Sequence, residues 1–122
     1  MSELMIKRIY EPAEPGDGFR ILVDRLWPRG ISKEKARLDH WARDIAPSDA
    51  VRKAFGHDPA KMEQFRQQYL AELNQNPAAA EYLQMVAETL GRGQVTLLYS
   101  AKSEKYNQAV VLKDWTEKNL PR

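Results

Sequence analysis

The run Ile21–Leu22–Val23 constrains the fold of this chain more than any other feature. A strand with one wet face alternates apolar and polar residues, whereas a strand covered on both faces reads as an unbroken apolar run. The run sits inside a predicted strand over residues 20–27, which Pro28, Arg29 and Gly30 break. Residues 95–99, Val-Thr-Leu-Leu-Tyr, give a second β-prone run of the same character. Residues 5–9 add a shorter strand ahead of them, and the two prolines, two glycines and Asp17 of residues 11–18 read as loop.

Between the two apolar runs the sequence is helical. Ser32 is an N-cap type, and the spacing of Leu38, Trp41 and Ile45 predicts one helix over residues 33–45. Pro47 ends it. Ser48 starts a short helix through Phe55, with Gly56 as its stop. Asp58–Pro59 and Asn76–Pro77 are both cap-plus-proline starts. Met62, Phe65, Tyr69 and Leu73 stripe the first of these helices; Leu83, Val86 and Leu90 stripe the second, which stops at Gly91. A last helix is predicted over residues 106–120, with Ala109, Leu112 and Trp115 facing inward and its start near Ser103. Strand, helices, strand, helix is the order of an α/β layer structure. The expectation is a small, mostly parallel sheet of three to four strands packed with four to five helices, in one domain over residues 1–122.

Composition excludes several chemistries. The chain has no cysteine, so disulfides, thiolate nucleophiles, zinc–thiolate sites and iron–sulfur clusters are ruled out, which fits a cytoplasmic protein. No apolar run approaches the roughly 20 residues of a membrane-spanning helix, and residues 1–10 do not have the pattern of a signal peptide. The two histidines, His40 and His57, lack metal-ligand spacing, so no metal is expected. No phosphate-binding loop, dinucleotide fingerprint or nucleophile elbow is present, so no cofactor is expected either. Between Arg20 and Arg37 six basic residues face two acids, a surplus of +4 in a chain whose net charge is +2. Such a local cluster suits an anion.

The candidate site follows from the strands. In open α/β sheets ligands bind beyond the carboxyl ends of the strands. Asp24 and Arg25 end one predicted strand; Tyr99, Ser100 and Lys102 end the other. Arg29 follows in a loop stiffened by Pro28, and its guanidinium fork suits a phosphate or carboxylate. Asn107 and His57 complete the expected rim. In this reading Arg25 and Arg29 clamp an anion against the 99–107 turn, while Asp24 and His57 are the candidate proton-transfer groups.

The decapeptide ILVDRLWPRG, residues 21–30, resembles the signature of the YeaO-like group within domain-of-unknown-function family 488. KRIYEP at 7–12, Trp41, APS at 46–48, FGHDP at 55–59, Phe65 with Tyr69, and VTLLYSAK leading to NQAVVL across 95–112 extend the resemblance nearly end to end. The resemblance implies a shared fold but no established activity. It also implies, for longer relatives, a strand ending in Asp–Val–Arg and a later strand ending in a cysteine-containing turn. Asp24 and Arg25 match the first loosely; Tyr99 and Ser100 stand at the second, so any chemistry of that cysteine is lost here.

Two function classes compete. One is a domain binding a small anionic ligand, phosphorylated or nucleotide-like, with or without catalysis. The other is a nucleic-acid-binding module using the basic 25–37 segment with Trp27 or Trp41 as stacking platforms, against which the low net charge and missing motifs weigh. A partner-binding protein without chemistry is a third reading, and oligomeric state is not legible.

Overall fold

The computed structural model describes residues 4–120. Four parallel strands, β1 (Leu4–Arg8), β2 (Phe19–Leu22), β3 (His40–Trp41) and β4 (Val95–Tyr99), form one sheet in the order β1-β4-β2-β3. Five helices accompany them: α1 (Lys33–Ala36), α2 (Asp49–Phe55), α3 (Met62–Gln75), α4 (Ala79–Leu90) and α5 (Gln108–Asn119). The apolar run is explained by this order. β2 and β4 are the interior strands, and Ile21, Leu22, Val23, Leu97 and Leu98 are all fully buried.

The two faces of the sheet are covered unequally. Ile21, Val23, Val95, Leu97 and Tyr99 face the larger core, into which the helices insert Phe55, Met62, Phe65, Tyr69, Leu73, Tyr82, Val86, Leu112 and Trp115. Leu22 and Leu98 face a smaller cluster with Ile9 and Ala36, flanked by Trp27, Ile31, Leu38 and Trp41. The smaller side also buries charge. Asp17 accepts from Arg20 Nη1 at 2.5 Å and from Lys7 Nζ at 3.0 Å, which ties the 12–18 loop to β1 and β2. Pairing of this kind offsets the cost of burying the charges.

The helix expected over residues 33–45 is corrected. Ser32 does cap it, but Arg37 adopts a left-handed φ of 46° and the helix ends at Ala36. The chain then runs beside β2: Asp39 N–H donates to Arg20 O at 2.9 Å and Ala42 N–H to Leu22 O at 2.8 Å. The physical reason is that β2 would otherwise bury unpaired backbone groups along its free edge. Leu38 and Trp41 therefore join the small cluster while Ile45 lies in the large core, so the three share no helical face.

Two boundaries also move. β2 stops at Leu22, short of Trp27, although Val23 N–H still donates to Leu98 O at 3.0 Å. The last helix starts at Gln108 rather than near Ser103, because Asn107 Oδ1 caps Val110 N–H at 3.1 Å. Ser103 instead caps the preceding turn, its Oγ accepting from Tyr106 N–H at 3.0 Å. Two other helix starts agree with the sequence: Ser48 caps α2, and Asp58 with Pro59 opens the turn that runs into α3. α4 starts at Ala79 rather than at Asn76–Pro77, and Asn76 Oδ1 accepts from Ala78 N–H at 2.8 Å in the turn before it. Among the described residues, no helix is long and apolar enough to cross a membrane.

Candidate functional site

β2 and β4 are parallel neighbours, so their carboxyl ends emerge side by side. The turn after β2 delivers Asp24 and the turn after β4 delivers Ser100. Ser100 N–H donates to Asp24 Oδ2 at 3.0 Å, and the Gln108 amide, from the first turn of α5, donates to Asp24 Oδ1. From the other side Trp41 Nε1–H donates to the Asp24 carbonyl at 2.7 Å. Asp24 is 7% exposed. Burial pushes its carboxyl above the ordinary range, against the opposing pull of the Ser100 and Gln108 donors. None of the ion pairs among the described residues includes Asp24, so its partners there are neutral.

Asp24 forms part of the wall of a cavity of about 140 Å³. Arg25, Arg52, His57, Ser100 and Gln108 contribute its other polar side chains, and Leu26, Phe55 and Phe65 line its apolar side. The two phenyl rings stack with centroids 4.4 Å apart, which stiffens that wall. Arg25 is braced from behind: its Nε donates to Pro47 O at 2.9 Å, and an Nη to Ala46 O at 3.4 Å. Arg52, on α2, reaches Asp49 with one Nη at 3.2 Å. Its Nε is buried and hydrogen-bonds to nothing among the described residues. His57 holds a left-handed φ of 59°, uncommon for a residue with a side chain, and its ring lies 6.2 Å from that of Phe55.

The sequence candidates thus separate into two groups. Asp24, Arg25, His57 and Ser100 come together at the cavity. Arg29 does not: it is exposed outside the cavity, and its carbonyl accepts from Tyr10 Oη at 2.8 Å. Lys102 is exposed and off the wall. Tyr99 belongs to the large core, and burial raises its phenol, with Glu104 and Glu11 adding to the effect and Arg8 opposing it. Asn107 is occupied by capping, its amide donating to Ser103 O at 2.8 Å while its oxygen holds Val110. The expected pairing of Arg25 with Arg29 is therefore replaced by Arg25 with Arg52. Arg52 precedes Phe55 by three positions, so one face of α2 presents both. Gln108 follows the Asn107 cap directly. Neither carried a signal of its own.

The basic 25–37 segment is partly consumed by the fold. Arg25 turns onto backbone carbonyls, and both indoles are tied: Trp27 Nε1–H donates to Ile31 O at 2.6 Å, and the two rings meet edge-on. Among the described residues no group of three or more His, Asp or Glu side chains is placed to hold a metal ion.

Residues 3–122 match the family model described as the inactive DUF488-N3 subclade. The chain is 49% identical over 112 residues to the uncharacterized protein YeaO of Escherichia coli (strain K12), covering 92% of this chain and 95% of that one. It is 35% identical over 111 residues to the uncharacterized protein Rv3073c of Mycobacterium tuberculosis (strain ATCC 25618 / H37Rv), covering 91% of each. No solved structure matches.

Proposed function

We propose, for a chain that belongs to the DUF488 family through its inactive N3 subclade, that the cavity beyond β2 and β4 is a binding site for a small anion and works without turnover. The observation that carries this reading is that Arg25 and Arg52 line one cavity, with the Arg52 Nε–H buried and without an acceptor among the described residues. A buried donor without an acceptor is unfavourable, and an anionic oxygen relieves it with a charge-assisted hydrogen bond. The bracing of Arg25 by Pro47 and Ala46 limits the side-chain entropy lost on binding.

Size narrows the ligand. Pockets for drug-sized molecules hold roughly 300–1,000 Å³, while this cavity holds about 140 Å³. A phosphate group or a short carboxylic acid suits it better than a whole nucleotide. The subclade's description as inactive favours binding over catalysis. Asp24 accepts hydrogen bonds from the protein on both of its oxygens. Its role in this reading is positioning: it joins the 100–101 turn to the start of α5.

Thermal unfolding with inorganic phosphate and a panel of short carboxylates tests the proposal. A ligand at 100 times its Kd stabilises by about 2.7 kcal/mol. Replacing Arg52 by glutamine is expected to remove the shift while leaving the unliganded Tm within a few degrees. Binding unchanged by Arg52→Gln, or no binding across the panel, overturns the reading. A steep loss of affinity with salt, approaching one logarithmic unit per phosphate contacted, points instead to nucleic acid.

A further inference from the structure

The cavity has two poles of opposite sign, and each is incomplete. Asp24 is a carboxyl group at 7% exposure whose hydrogen bonds among the described residues come from the Ser100 backbone N–H and the neutral Gln108 amide. Arg52 is a partly exposed guanidinium that pairs with Asp49 through one Nη and whose buried Nε has no acceptor among the described residues. Both line the same cavity and form no ion pair with each other. A buried carboxylate usually has a cationic partner. Here its hydrogen-bond donors among the described residues are neutral, although Arg25, Arg52 and His57 share the cavity wall.

A simple anion completes one pole and worsens the other, because it brings negative charge towards Asp24. A molecule carrying a cation a few bonds from its anion completes both. Each oxygen of Asp24 has a second lone pair after the Ser100 and Gln108 bonds, so an ammonium can be accepted without breaking them. Phe55, Phe65 and Leu26 offer an apolar wall for a short hydrocarbon group, and the volume of about 140 Å³ keeps that group small.

We infer that the cavity takes a small zwitterion of the amino-acid type, its ammonium on Asp24 and its carboxylate on Arg52. The inference rests on the small-anion reading above and deepens it.

Calorimetric titration of the full chain with alanine, propanoate, N-acetylalanine, ethylamine and inorganic phosphate tests it. Alanine is expected to bind at least about tenfold more tightly than propanoate or N-acetylalanine, the scale of one charge-assisted hydrogen bond. Ethylamine, lacking the carboxylate, is expected to be weaker than alanine by a similar factor. Asp24→Asn should erase the advantage of alanine over propanoate. If that variant fails to fold, the comparison among the ligands still decides. Propanoate or phosphate binding as tightly as alanine overturns the zwitterion and leaves the small-anion reading standing. Ethylamine matching alanine overturns it too, because the arginine pole is then unused. Failure of every probe overturns both readings.

Discussion

Truncating Phe65 to alanine probes the wall shared by the core and the cavity. The ring is 3% exposed, stacks on Phe55 at 4.4 Å with an interplanar angle of 17°, and lies 5.8 Å from Tyr69. Loss of a buried phenylalanine costs about 3–5 kcal/mol. One term moves the value down: the ring borders a cavity, so the new space merges with an existing one that water can enter. Another moves it up, because two ring–ring contacts go with it, each worth about 0.5–1.5 kcal/mol. We expect a loss of about 3–4 kcal/mol. With an unfolding entropy of about 2.1 cal/mol/K per residue, a chain of 122 residues should lose roughly 12–16 °C in Tm. Urea denaturation reads the same loss as a lower midpoint at unchanged slope. Glu63→Ala is the control, since its carboxylate is solvated and pairs only loosely with Arg66 at 3.8 Å. A loss below about 1 kcal/mol for Phe65→Ala would refute the packing of α3 described above.

Three further outcomes follow from single contacts. Tyr69→Phe removes the hydroxyl that donates to Ile45 O at 2.7 Å in the core, and chemical denaturation should show a loss of about 1–3 kcal/mol; no loss would mean that the carbonyl finds another donor. Burial raises the Asp17 carboxyl, but the Glu14 N–H, Lys7 and Arg20 outweigh it and hold the group below its ordinary range. Its stabilising contribution is therefore complete above the unfolded-state value of about 3.9 and is lost as pH falls through the depressed folded value. Asp17→Asn should lower Tm at neutral pH, with a gap that closes on acidification; parallel Tm curves would contradict the pairing. Gly18 has φ 65°, and a Cβ there would overlap the Gln94 carbonyl, so Gly18→Ala should cost more than about 1 kcal/mol in the same denaturation assay; a neutral variant would place the Gly18–Gln94 approach in doubt.

The layer order, the interior place of β2 and most helix starts were legible in the chain, because they depend on local signals. An unbroken Ile21–Leu22–Val23 run needs cover on both faces whatever its neighbours are, and Ser48, Asp58 and Pro59 act within a few residues of themselves. Asp24 and Ser100 could be placed at one edge once the strands were taken as parallel. The 33–45 segment shows where local reasoning stops. Its helical spacing was real, but the free edge of β2 offered its backbone more than a helix could. Arg29 and Arg52 show the same limit within the site. The loop chemistry around Arg29 looked like a clamp, yet only the packing of α2 against α3 could bring Arg52 to the mouth of β2. Tertiary structure alone decided which arginine meets the cavity, since residues 25 and 52 are brought together by contacts that no sequence spacing encodes.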